Sequence, residues 1–72
     1  MIRYQPFTEE RRDADLGVYV TFGIRAVDER GNVVKTVPDV STNRSFVTSL
    51  CERCTMHGLA PIHLRDVVED SI

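Results

Sequence analysis

The sequence predicts an α+β domain, a three-stranded antiparallel meander with one face covered by a C-terminal helical hairpin, and three observations carry that expectation. Val18, Val20, Phe22, Ile24 and Ala26 alternate with Tyr19, Thr21, Gly23 and Arg25 at the two-residue period of a strand. Asp28-Glu-Arg-Gly31 is a turn followed at once by a second alternating run, Asn32 to Val37. From Phe46 onward the apolar spacing changes to that of a helix, and it does so again from Leu64.

Taken in order, Ile2, Tyr4 and Pro6 alternate with Arg3 and Gln5, predicting a short strand over about 2–7. Pro6 lacks a ladder donor, so that strand is an edge or stops there. Thr8 to Asp15 has mixed charge and no apolar period, and reads as an exposed connection carrying Arg11-Arg12. The central strand spans 17–27, its Val18-to-Ala26 side buried. Gly31 can take a positive φ in the turn, and a third strand over 32–38 ends where Pro38 removes a backbone donor. Thr42, or Ser41 beside it, is the expected cap of a helix over 43–57. At about 100° per residue, Phe46, Leu50, Cys54, Val47 and Cys51 make one continuous apolar arc. Gly58 suits the left-handed residue that closes this helix, and Pro61 suits the first position of a second one over 61–71. Leu64, Val67, Val68 and Ile72 form its inward stripe, with Asp66, Glu69 and Asp70 opposite.

The chain has 72 residues, 42 % of them hydrophobic and 28 % charged, which is the composition of one small globular domain. No run approaches the ~18 apolar residues of a membrane helix, and the N-terminus has no apolar secretory region, so the expected location is the cytoplasm. A net charge of −2 argues against nucleic acid as the partner, although the positive charge is almost all arginine, with Lys35 the sole lysine. Binding through Arg3, Arg11, Arg12, Arg25 and Arg30 would require those arginines to gather on one surface.

Four residues offer metal-ligand chemistry: Cys51, Cys54, His57 and His63. Zinc requires four N or S donors in a tetrahedron with bonds of roughly 2.0–2.3 Å. The helical period carries the two cysteines through the middle of a helix, so the plainer reading is a pair of small core residues with reduced thiols. Neither cysteine sits at a helix N-terminus, as a redox pair would. His63 one turn before Asp66 lacks a nucleophile, and His57 suits the negative end of a helix dipole. No catalytic constellation, EF-hand pattern or phosphate-binding glycine loop is present, and no cofactor is expected.

The remaining candidate is the sheet face carrying Tyr19, Thr21 and Arg25, residue types favoured where proteins meet proteins, although a half-solvated sheet looks the same. Gly23 within it leaves room for an aromatic ring or another backbone to approach, or marks a bulge. The expected function is a non-enzymatic binding or regulatory module with a protein partner, and a small zinc-binding protein using Cys51, Cys54, His57 and His63 is the alternative. Homodimerisation through this face or an edge strand would add buried area to a small core.

Tyr19 to Gly23, Asp39-Val-Ser-Thr and Leu59-Ala-Pro-Ile-His-Leu-Arg-Asp-Val-Val-Glu-Asp70 resemble a family of small bacterial proteins known only as a domain of unknown function. The likeness runs from Gly17 to the C-terminus and leaves the N-terminal segment outside. It implies the strand-then-helix-hairpin order and a shared His-Leu-x-Asp-Val run at His63 to Val67, with Ala60 where a Ser cap is more typical. It implies no activity, ligand or partner.

Overall fold

The structure, a computed structural model describing residues Met1–Ile72, has three antiparallel strands in one open sheet and two C-terminal helices packed against it. The strands are β1 (Arg3–Asp13), β2 (Gly17–Val27) and β3 (Val33–Ser41), in the order β1-β2-β3. Helix α1 spans Arg44–Met56, and a short 3-10 turn, Pro61–His63, leads into α2, Leu64–Ser71. Both the fold class and the α+β order read from the sequence are present.

The core lies between the sheet and the helices. Ile24 and Ala26 of β2, Tyr4 of β1 and Val37 and Val40 of β3 meet Val47, Leu50, Cys51 and Cys54 of α1, with Leu64 and Val68 of α2. The buried face of α1 is thus the predicted apolar arc, with Phe46 partly buried at its margin. Two bonds tie the edge strand to the end of α1: the Tyr4 amide donates to Thr55 Oγ1 at 2.9 Å, and the Tyr4 hydroxyl donates to the Leu59 carbonyl.

Three boundaries depart from the sequence reading. The 8–15 segment is no loose connection, because β1 runs on through Pro6 to Asp13 and pairs with β2 from Arg3↔Val27 to Asp13↔Gly17. The reason is backbone parity. Since the Tyr4 amide points to Thr55 and away from β2, the nitrogen of Pro6, two residues on, also faces outward, and its missing hydrogen removes no ladder bond.

Strand β3 likewise passes Pro38. Ile24 pairs with Val37 and Phe22 with Ser41, so three residues of β3 bulge opposite Gly23, with Asp39 at φ +51°. The cap of α1 is Asn43, one residue beyond Thr42, its Oδ1 accepting from the Phe46 amide at 3.1 Å. Ser41 is still strand, its Oγ accepting from the Asn43 amide at 3.0 Å, and Asn43 is the residue with the extended backbone of a cap, φ −92° and ψ 104°. The predicted close of α1 is present: Gly58 has φ +63°, and the Gly58 and Leu59 amides donate to the Thr55 and Cys54 carbonyls at 3.2 and 3.1 Å.

Candidate protein interface

Because β3 meets β2 only from Phe22 onward, Gly17–Thr21 pairs with Glu9–Asp13 alone, and these segments form a two-stranded arm extending from the sheet. The three-residue tip, Ala14–Leu16, is set by Asp13, whose carboxylate accepts from the Asp15 and Leu16 amides at 2.8 and 3.0 Å. Those two bonds hold the Asp13 carboxyl below the usual carboxylate range.

No helix roofs the arm. Val18 and Val20, predicted to lie in the core, are 54 % and 48 % exposed, and Leu16 at the tip is 74 % exposed. Alternation places the valines on the same side as Ile24 and Ala26, but helices of 13 and 8 residues cover only the inner half of an 11-residue strand. The arm therefore carries a solvent-facing apolar row that continues the core.

The two edges of the arm differ. Outward-facing residues of β1 are Thr8, Glu10 and Arg12, which with Pro6 form a charged, proline-bearing edge of the kind that discourages pairing. By the same parity the amides and carbonyls of Val18 and Val20 point toward the side that β3 has already left, and no charge or proline lies between Leu16 and Ile24 on that strand. The sequence signal for this edge was Pro6 itself, which permits continuation of an edge strand as readily as it ends one.

The predicted surface of Tyr19, Thr21 and Arg25 is not the open face expected. Thr21 is fully buried: the β3 bulge folds over it, and its Oγ1 lies 2.8 Å from Asp39 Oδ1 and 3.1 Å from the Ser41 carbonyl. Glu9, opposite Thr21, accepts the Asp39 amide at 2.9 Å, and so helps to hold the left-handed Asp39 in place. Arg25 stacks over Phe7 at 4.6 Å from the ring centroid, and that ring lies across Gly23. Only Tyr19, half-buried opposite Arg11, keeps the placement anticipated for it.

The Cys51, Cys54, His57 and His63 set is not assembled. Both cysteines are buried and unpaired while both histidines are exposed, and no group of three or more His, Cys, Asp or Glu side chains is arranged to hold a metal ion. Burial, with Cys54 and Glu52 adding repulsion, pushes the Cys51 thiol up to about 12 from its ordinary 9.0. Burial likewise raises Cys54. A raised folded-state pKa favours the neutral thiol, so this contribution to stability is fully present below about pH 9 and is lost as pH climbs toward about 12. Chemical denaturation midpoints should accordingly stay level through neutral pH and fall above about 9, with native thiols reacting slowly with a bulky disulfide reagent and rapidly once unfolded. A stability that is flat through the alkaline range, or fast native labelling, would contradict the burial of both sulfurs.

A shallow cleft of about 290 Å³ remains between the helices, lined by Leu50, Arg53, Cys54, His57, Leu59, Val67 and Ser71. It is open to solvent, and of its two basic side chains both project from the exposed end of α1.

Fold and surface together describe a small α+β domain whose most distinctive feature is a two-stranded arm with an apolar, unguarded edge. The chain belongs to DUF6514, a family of unknown function, whose family model matches residues 2–72. The N-terminal segment is thus inside the family, contrary to the narrower likeness seen in the sequence, and it supplies one strand of the arm. No curated protein and no solved structure matches the chain.

Proposed function

We propose that this protein is a non-enzymatic binding module of the cytoplasm whose contact element is the arm formed by Glu9–Asp13 and Gly17–Thr21. The observation that carries the reading is the row Leu16, Val18 and Val20, exposed on a strand whose outer hydrogen-bonding edge is vacant. A contiguous apolar row bordered by charge is the surface composition that protein contacts use, and a vacant edge offers directed backbone bonds in addition. Two unpaired buried thiols accord with a reducing compartment. The zinc alternative draws no support from two cysteines buried in the core and two histidines in solvent, with no three such side chains gathered at one place.

The test compares wild type with Val18→Thr/Val20→Thr in quantitative affinity capture from cells of the source organism. Proteins retained by the wild type and lost with the double variant, at unchanged folded-state circular dichroism, are the expected result. Capture indifferent to both substitutions would remove the arm from consideration.

A further inference from the structure

We infer that the vacant edge of β2 is filled by a second copy of the same chain, the two Gly17–Thr21 segments pairing antiparallel about a two-fold axis at Tyr19. The inference rests on the reading of the arm as the contact element and adds what occupies it.

Backbone geometry supplies the first argument. An antiparallel ladder about a two-fold is formed by a strand with itself, provided that outward-pointing residues of one copy meet outward-pointing residues of the other. The outward-pointing residues are Val18 and Val20, so the register sets Val18 opposite the partner's Val20 and Val20 opposite the partner's Val18. All four valines then fall on one face of a joined sheet, β-branched side chains directly across from one another, with the half-buried Phe22 at either flank. The two Tyr19 side chains meet on the other face.

Charge selects this occupant and orientation. The tip is acidic, with Asp13 and Asp15, and a parallel pairing would set two such tips side by side. The antiparallel pairing separates them and carries each toward the other copy's junction of β3 and α1. There the first turn of α1 contains Arg44 and no acidic residue, at the positive end of the helix, while Asp39 of the adjoining bulge has its carboxylate engaged by the Thr21 hydroxyl at 2.8 Å. Along the paired edge itself neither copy contributes a charge. The other two edges in the fold carry charge or proline that discourages such pairing: β1 has Pro6, Glu10 and Arg12, and β3 has Lys35, Pro38 and the Asp39 bulge.

Sedimentation equilibrium of the full chain over a wide concentration series should show reversible growth to twice the monomer mass. Val18→Pro removes an outward amide without touching the β1 ladder, and Val20→Lys places like charges across the two-fold, so each should leave the chain monomeric where wild type is dimeric. Should Val18→Pro fail to fold, Val20→Lys decides alone. A wild type that is monomeric throughout, or a dimer that persists in folded Val20→Lys, would overturn the inference. In the first case the arm reading is judged separately, by whether Val18→Thr/Val20→Thr abolishes capture of another protein.

Discussion

Gly23→Ala should be the most damaging single-methyl change in the protein. A Cβ built there lies 2.6 Å from Phe7 Cζ, 2.7 Å from Phe7 Cε1 and 2.8 Å from the Val37 carbonyl oxygen, closer than real Cβ contacts come. The ring could swing aside, but only by giving up its seat beneath Arg25. The carbonyl cannot move without shifting the start of the β3 bulge, which also carries Asp39 over Thr21. Overpacking against a fixed backbone costs about 1–3 kcal/mol, a large share of the roughly 4–11 kcal/mol expected for a domain of 72 residues. Thermal unfolding should drop on the order of 10–20 °C. Pairing the change with Phe7→Leu should restore part of the loss and leave the share due to the Val37 carbonyl. A double-mutant cycle separates the two, and a melting temperature within about 2 °C of wild type would refute the close approach.

This position shows how far the sequence could be read. A lone glycine within an otherwise β-branched strand already signals that something comes close, and both expected visitors, a ring and another backbone, are present. What the sequence could not convey is that the ring comes from Phe7: that residue ended the predicted strand, and with 8–15 looking like a loop, since Glu9-Glu-Arg-Arg-Asp13 has the composition of a solvated turn, nothing set the register that pairs Phe7 with Gly23. An edge strand in an arm that no helix roofs needs no apolar period, so the pattern that reveals buried strands is silent there. Asp39 was hidden for another reason. Its left-handed backbone is stabilised by Glu9 and Thr21, from two other strands, and no local signal encodes partners 30 and 18 residues away. The helices were legible because each turns an apolar stripe inward, although Ile72, expected in the stripe of α2, is 77 % exposed and only Leu64 and Val68 are fully buried there; the Schellman close at Gly58 is written in adjacent residues.

The alternation of β2 treats Val20 and Ile24 as equals, whereas the structure gives them opposite weight. Ile24 is 0 % exposed, a member of the core between sheet and helices, while Val20 is 48 % exposed on the unroofed arm. Ile24→Ala removes three carbon atoms from the centre of a cluster of only 11 buried residues, and the transfer and cavity terms together should cost about 3–5 kcal/mol. In a core this small few neighbours can collapse into the space, which places the value toward the upper end. Val20→Thr keeps the β-branched shape and changes a half-solvated methyl to a hydroxyl. Its stability, measured at a dilution where the chain is monomeric, should lie within about 0.5 kcal/mol of wild type. Urea denaturation of the two variants side by side is the check. Comparable destabilisation by both would mean that the helices roof the whole of β2, and the arm would then have no free face to offer a partner.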